Sequence, residues 1–150
     1  MDLILWRHAE AEDGSPDEAR ALTAKGIKQA QRMASWLKRR VRGPLTIIAS
    51  PALRARQTAE AYGEEVQTRD SIGIGASAAR ILKAAHWPDG DGTVIVVGHQ
   101  PALGAAAALA LTGNAASWPV KKGAVWWLRS KASSPPTVVA VLAPRHARDK

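Results

Sequence analysis

Arginine and histidine residues follow three apolar segments of the sequence, close to where each segment ends. Arg7 and His8 directly follow the apolar segment 3–6, and Arg54 and His99 each come shortly after another apolar segment. A guanidinium fork can bind phosphate or carboxylate oxygens in pairs, and an imidazole near neutral pH can act as a nucleophile, a base or a metal ligand. The sequence therefore predicts a site for an anion, provided that the fold brings these four side chains together.

The apolar segments have the composition of buried strands. Segment 93–97 is β-branched almost throughout and apolar on both faces, which is typical of a central strand in a parallel sheet. Segments 3–6 and 45–49 are similar but shorter. Because ligands bind at the carboxyl ends of the strands in open α/β sheets, we expect the four side chains to meet at one edge of the sheet.

Helical patterns separate these strands. Thr23 is a predicted N-cap, and Gly43 and Pro44 end the helix that it starts. Its apolar face is predicted to contain Ile27, Ala30, Ala34, Leu37 and Val41. Ser50 and Pro51 are predicted to cap and begin a second helix that ends near Tyr62. Further predictions are an irregular loop over 9–21, an edge strand at 66–68, helices at 78–86 and 102–111, and strands at 124–128 and 137–143 joined by a loop over 130–136.

These elements together predict the fold class. Strands alternating with helices indicate a three-layer α/β/α domain with a mostly parallel central sheet, and the last two strands are expected to form a hairpin at its edge. At 150 residues, with no repeat or linker, the chain is expected to form a single domain over 1–150. Residues from about 144 to 150 are expected to be a frayed basic tail.

The composition narrows the classes of function. The 21 Lys and Arg residues exceed the 13 Asp and Glu residues, which gives a net charge of +8 and an attraction to polyanions. Much of the excess lies at 38–42 and 145–150, where a helix end and a tail explain it as solvated surface. The chain has no Phe and a single Tyr, so the stacking platforms of single-strand RNA readers are hard to assemble. The absence of cysteine excludes disulfides, zinc–thiolate sites and a cysteine nucleophile.

The sequence predicts neither a membrane span nor a secretory signal. The longest apolar stretch, at 102–111, is too short to span a bilayer, and the first residues lack the basic flank and cleavage site of a secretory signal. We therefore expect a cytoplasmic protein with no membrane partner.

Two guanidinium groups and two imidazoles, with no carboxylate among them, predict a pocket for a dianion. Phosphoryl transfer needs such a pocket, because the protein mainly positions the group and stabilises charge on its oxygens. Arg7 and Arg54 would clamp the equatorial oxygens, His99 would be a third donor when protonated, and His8 would attack phosphorus. A metal site on the two histidines is disfavoured, because no carboxylate or third histidine follows another strand and two arginines would repel the cation. No metal or other cofactor is expected.

Four blocks of sequence carry a family resemblance. In order, they are LILWRHA (3–9), LTAKGIKQA (22–30), SPALRARQTA (50–59) and VGHQP (97–101). Together they resemble the histidine phosphatase superfamily, which has the phosphoglycerate mutase-like fold, although Ala9 stands where many members have glycine. The compact length resembles the small bacterial branch of SixA-type phosphohistidine phosphatases. The resemblance implies that His8 becomes phosphorylated and that Arg7, Arg54 and His99 complete the phosphate pocket.

One departure from the family affects the expected substrate. Larger members place an acidic residue in the middle segment to protonate the leaving oxygen, whereas here only Asp70 is available, with Glu10 and Glu12 as further candidates from the loop. Because an imidazole leaves more easily than an alkoxide, the departure favours phosphohistidine on a protein partner. Small phosphate esters or polyphosphate are the alternative substrates, and a basic nucleic-acid-binding module is the alternative from another class.

Overall fold

The computed structural model describes residues 1–147 and places helices on both faces of a six-stranded sheet of order β3-β2-β4-β1-β5-β6. The strands are β1 (Asp2–Arg7), β2 (Leu45–Ala49), β3 (Val66–Thr68), β4 (Thr93–Gly98), β5 (Val125–Lys131) and β6 (Ser134–Leu142). The α-helices are α1 (Ala24–Lys38), α2 (Leu53–Glu60), α3 (Ala78–Ala84) and α4 (Ala102–Thr112), and short 3₁₀ helices cover Asp17–Ala19, Asp70–Ile72 and Pro144–His146.

Strand pairing confirms the predicted sheet. The first four strands are parallel, with β4 between β1 and β2, and the hairpin of β5 and β6 is antiparallel at the edge. In the register, Arg7 lies beside Gly98 and Ala49 beside Val97, so these three strands end at the same level. That shared level is the edge where the predicted site residues emerge.

The core has two layers, one on each face of the sheet. In β1, Leu3 and Leu5 pack with residues of α3 and α4, whereas Ile4 and Trp6 pack with residues of α1 and α2. All four β1 side chains are fully buried, and burying a side chain of this size contributes about 1.5–3 kcal/mol. The strand that carries Arg7 is therefore held rigidly from both sides.

Helix α1 differs from its predicted form at both its buried face and its end. Thr23 caps the helix as predicted, accepting a hydrogen bond from the Gly26 amide at 2.9 Å. However, Ile27 is 44% exposed, and Gly26 and Met33 take part in the buried face instead. Glycine fits there because a Cβ at this position would overlap the backbone carbonyl of Glu10. The helix thus packs directly on the loop that follows β1.

Other predicted boundaries also shift. Helix α1 ends at Lys38, before the predicted stop, and α2 begins at Leu53 rather than at Pro51. The loop predicted at 130–136 is much shorter, because β5 and β6 extend into it. The loop over 9–21 contains a 3₁₀ helix and an isolated bridge between Ala11 and Leu22.

The predicted frayed tail is wrong for residues 144–147. The 3₁₀ helix Pro144–His146 contacts α1, and Ala147 is only 2% exposed within the core layer beneath α1 and α2. Ala147 and Pro144 are apolar and anchor this segment. The basic residues around them obscured this anchoring in the sequence. The predicted tail residues 148–150 lie outside the described part of the chain.

The basic run at 38–42 folds against aromatic rings. The Arg40 guanidinium lies 4.2 Å from the centre of the Trp36 ring, and Lys38 Nζ lies 5.6 Å from that of Tyr62. These contacts occupy two of the cations considered for nucleic-acid binding.

Across residues 1–147, no helix has both the length and the apolarity to cross a bilayer.

Candidate active site

Three of the four predicted site residues are in mutual contact at the carboxyl edge of the sheet. The imidazole rings of His8 and His99 have centroids 5.3 Å apart, and Arg54 Nε lies 3.4 Å from His8 Nε2. The exposed fractions of His8, His99 and Arg54 are 7%, 6% and 4%. Segments far apart in the sequence thus form one small, nearly closed cluster.

Hydrogen bonding fixes the tautomer of His8. Its Nδ1 lies 2.7 Å from the backbone carbonyl oxygen of Ala9. Because a carbonyl oxygen only accepts, Nδ1 carries the proton, and in the neutral ring Nε2 keeps its lone pair. The Arg54 Nε–H group points at that lone pair. His8 therefore presents a nucleophilic nitrogen to the cluster.

The electrostatics of the cluster keep both imidazoles neutral. Burial lowers the pKa of His8 to about 4; the hydrogen bond to Ala9 opposes this shift, and the charges of His99, Arg54 and Arg7 add to it. Burial, followed by the charge of Arg54, also lowers the pKa of His99 to about 4. At neutral pH His99 is thus uncharged in this structure, whereas the sequence analysis considered it as a donor when protonated.

Ser50 holds the second histidine in place. Its hydroxyl is fully buried, lies 2.7 Å from His99 Nε2 and accepts a hydrogen bond from the Ala52 amide at 3.2 Å. Ser50 was predicted from the sequence only as a helix cap, because its contact with His99 crosses from the end of β2 to the end of β4. His99 Nδ1 is buried and has no hydrogen-bond partner in the described chain.

Arg7 is anchored by the loop before β5. Its Nη1 donates to the Val120 carbonyl at 2.9 Å, and burial lowers its pKa from the ordinary value, although an arginine remains charged. Arg7 Nε is buried and, like His99 Nδ1, lacks a partner among residues 1–147. Buried polar atoms are rarely left without partners, so both atoms are open to a hydrogen bond with a ligand.

A carboxylate that was not among the predicted site residues, that of Asp17, contacts the cluster. Arg54 Nη1 donates to the backbone carbonyl of Asp17 at 2.7 Å, and Nη2 donates to its Oδ2 at 3.1 Å. Arg20 binds the other carboxylate oxygen at 2.9 Å. The hydrogen bonds from Arg20 and Arg54 lower the pKa of Asp17, so this carboxylate is ionised at neutral pH. Neither Asp17 nor Arg20 was predicted from the sequence, because both lie in an irregular loop without a motif.

The candidate acids named from the sequence lie elsewhere. Glu10 turns toward α1, where its Oε2 accepts a hydrogen bond from the Thr23 hydroxyl at 2.8 Å. Asp70 is exposed and begins the 3₁₀ helix that follows β3. Glu12 uses its backbone carbonyl to accept from Arg20 Nε at 2.6 Å. None of these three carboxylates contacts an imidazole of the cluster in the described structure.

Thr58 of α2 links the loop that follows His8 to Arg54. The Thr58 hydroxyl is fully buried, donates to the Arg54 carbonyl at 2.8 Å and accepts from the Ala9 amide at 3.0 Å. One side chain therefore sets the distance between the residue after His8 and the turn that carries Arg54.

Within residues 1–147, His, Cys, Asp and Glu side chains form no group of three arranged to hold a metal ion.

The sequence and fold were compared with known proteins. The family model of the histidine phosphatase superfamily (branch 1) matches residues 3–73. Phosphohistidine phosphatase SixA of Escherichia coli is 29% identical over 115 residues, which cover 69% of this chain and 70% of that protein. An uncharacterised protein of Picosynechococcus is 33% identical over 144 residues, covering 89% of this chain and 87% of its own length.

Solved structures share the whole fold. The protein histidine phosphatase SixA complexed with tungstate superposes with a TM-score of 0.82 at 24% identity, over 99% of this chain and all of that one. A phosphoserine phosphatase of Entamoeba histolytica superposes with a TM-score of 0.72 at 18% identity, over 97% of this chain and 98% of that one. The match of the phosphoglycerate mutase-like fold, the family motifs and the relatives together place this chain in the histidine phosphatase superfamily.

Proposed function

We propose that this phosphatase hydrolyses phosphohistidine on a protein partner, through a covalent phosphohistidine on His8. The pairing of a neutral imidazole nucleophile with two guanidinium groups supports the proposal. Arg7, Arg54 and His99 would complete the phosphate pocket. These cationic and hydrogen-bonding side chains would supply the charge stabilisation that metal ions provide in other phosphatases, so no metal is required.

The observation that carries this proposal is the pair of buried atoms without partners. Arg7 Nε and His99 Nδ1 are both buried at the site and both unsatisfied. When the Ser50 hydroxyl donates to His99 Nε2, the proton of the ring lies on Nδ1, which then becomes a donor. A phosphoryl group has enough acceptor oxygens to satisfy both atoms. Such an arrangement would stabilise charge that develops on the oxygens during transfer.

In the proposed reaction, His8 Nε2 attacks phosphorus while the bond from phosphorus to the substrate nitrogen breaks. The leaving imidazole keeps the bonding electron pair and takes a proton from water or from its own surroundings. A water molecule then attacks the phosphoryl group on His8, which releases inorganic phosphate and restores the neutral ring. Arg54 Nη1 and Nη2 each carry a second N–H group that Asp17 does not use, so this guanidinium can bind the phosphoryl oxygens while it keeps its contact with Asp17.

The protonation state of Asp17 supports a substrate with a phosphorus–nitrogen bond. An alkoxide leaving group needs a proton donor close to the reacting oxygen, and the carboxylate nearest the cluster is held ionised by Arg20 and Arg54. A leaving imidazole needs less help. Phosphate esters are therefore less favoured substrates than phosphohistidine.

Trapping the intermediate tests the proposal. We expect a ³²P-labelled phosphohistidine peptide to leave an acid-labile, base-stable label on the wild-type protein and none on His8→Ala, whose turnover falls by about 10⁴-fold or more. His146→Ala, which changes an exposed histidine, is the matched control and keeps the label. Turnover that survives in His8→Ala would contradict the proposed nucleophile.

Substrate preference is tested with two peptides of one sequence, carrying phosphohistidine or phosphoserine at the same position. We expect kcat/KM to be at least about 10²-fold higher for the phosphohistidine peptide. Hydrolysis of the ester would lack a general acid, and general acid catalysis contributes a factor of about that size. Equal values for the two peptides would show a broad phosphatase for esters.

A further inference from the structure

A cavity of about 580 Å³ that Arg7 lines is bordered mainly by positive charge. Its cations come from three separate places: Lys25, Lys28 and Arg32 of α1, Lys121 and Lys122 of the loop before β5, and Arg145 of the last 3₁₀ helix. The three α1 residues are spaced by three and four positions, so they lie on one helical face. We call this cavity the basic cavity.

The cations of the basic cavity are free to bind something else. All six are exposed, and within the described chain none of them has an ion pair or a side-chain hydrogen bond. Glu10 is the acidic residue in the lining, and its carboxylate already accepts a hydrogen bond from Thr23. Like charges gathered in one concavity repel one another and stabilise nothing in the fold. Their placement is explained by an anionic occupant.

Arg7 connects the basic cavity to the phosphate pocket. It lines the cavity, while its charge also acts on both His8 and His99. An occupant of the cavity can therefore be continuous with a phosphoryl group held over His8. We infer that the basic cavity binds an acidic segment of the phosphorylated protein substrate, close in sequence or space to its phosphohistidine; this inference rests on the proposed function.

The kind of cation favours carboxylates in series over a compact phosphate. Four of the six are lysines, which are flexible point charges, whereas compact phosphate sites use arginine forks or backbone amides in fixed geometry. Aromatic residues are missing from the lining, so the bases of a nucleic acid would find no stacking partner. An extended acidic segment of a protein fits such a surface, with its charge also accelerating association.

Two phosphohistidine peptides that differ only in their flanks test the inference. One has glutamates around the phosphohistidine, and the other has glutamines. For the wild type at low salt we expect kcat/KM to be about tenfold higher with the glutamate peptide, and the ratio to shrink toward one as salt screens the charges. In the triple variant Lys25→Gln, Lys28→Gln, Arg32→Gln, the ratio should already be close to one at low salt.

The matched control removes the same charge from the opposite face and edge of the sheet. Arg80→Gln, Lys83→Gln, Lys131→Gln changes three exposed cations outside the basic cavity and should keep the tenfold ratio. Hydrolysis of the glutamine peptide by each variant shows that it is folded. If a variant fails to fold, the single change Lys28→Glu replaces the triple and should lower the ratio at least about threefold.

The outcomes separate this inference from the proposed function. If the wild type cleaves neither peptide, the proposed function is wrong and the inference fails with it. Equal cleavage of both peptides, or a ratio that the two triple variants change equally, overturns the acidic-segment inference alone. Inhibition of the wild type by a single-stranded DNA at lower concentration than by a glutamate peptide of equal charge overturns it in favour of nucleic acid.

Discussion

In the proposed phosphate pocket His8, Arg54 and His99 are nearly buried and each is held by a hydrogen bond, whereas the six Lys and Arg residues named for the basic cavity are exposed and unpaired within residues 1–147. The two regions share Arg7 and an affinity for anions. In the pocket, low solvent access makes each interaction strong and sensitive to position. In the cavity, water and salt weaken each charge, so only their sum counts.

The difference suggests a division of work between the two regions. A small number of fixed groups in the pocket can stabilise a transition state, which requires atoms placed within fractions of an ångström. A larger number of mobile charges can attract and orient a partner without fixing its atoms. Single substitutions should therefore have large effects in the pocket and small effects in the cavity.

After His8→Ala, the largest expected effect comes from Arg54→Ala. Losing this guanidinium removes a buried donor from the phosphoryl oxygens, so kcat/KM for a phosphohistidine peptide should fall by about 10²–10³-fold. Arg56→Ala is the matched control, because Arg56 lies two positions further along the same helix and its side chain is half-exposed. Its kcat/KM should stay within about twofold of the wild type's. Similar losses in the two variants would mean that general charge, rather than position in the pocket, governs catalysis.

The buried imidazoles should make stability depend on pH. Both have a pKa of about 4 in the folded protein and an ordinary value of 6.5. Between these values the unfolded chain binds protons that the folded chain does not, so stability is lost as pH falls from about 6.5 to 4, by up to about 1.4 kcal/mol per pH unit for each ring. Urea unfolding across this range measures the slope.

The variant His8→Asn, His99→Asn should lose most of that slope, because asparagine does not titrate. Its free energy of unfolding near pH 4 should then lie closer to its value at pH 7 than the wild type's does. If the free energy of unfolding of this variant kept the same slope with pH, the titrating groups would lie outside the pocket. That result would contradict the proposed electrostatic difference between the pocket and the cavity.

A smaller effect is expected from Ser50→Ala. His99 would lose the hydroxyl that holds its Nε2, and we expect kcat to fall by about tenfold with KM nearly unchanged, since the hydroxyl positions a group that acts in the transition state. Ser35→Ala, on the exposed face of α1, is the control. A rise in KM without a change in kcat would instead mean that Ser50 only shapes the binding of the substrate.

The smallest effect is expected from Asp17→Asn. The negative charge of Asp17 beside Arg54 repels a phosphate anion, so its removal should lower the inhibition constant of inorganic phosphate by about threefold to tenfold, with kcat within about threefold. A loss of kcat of about 10²-fold, confined to phosphate esters, would show that Asp17 acts as a proton donor. Steady-state kinetics with both phosphohistidine and phosphoserine peptides measure the two outcomes.

Strand-end residues were predictable from the sequence, and loop residues were not. The segments that form β1, β2 and β4 are apolar enough to be buried as strands. The order of the motifs was therefore sufficient to predict that His8, Arg54 and His99 lie at one edge of the sheet. Asp17 and Arg20 lie in a segment whose course depends on what it packs against, and no periodicity marks their contact with Arg54. The same holds for Ser50, whose local signal as a cap concealed its contact with His99.

The sequence by itself determined the layers of the fold, the edge of the sheet that bears the motifs and the family to which the motifs belong, because apolar periodicity and strand order depend on the chain's local chemistry. The tertiary structure decided which nitrogen of His8 is free, which carboxylate reaches Arg54 and where the scattered lysines converge. These features depend on distances between segments far apart in the chain, and such distances are set only when the whole core packs.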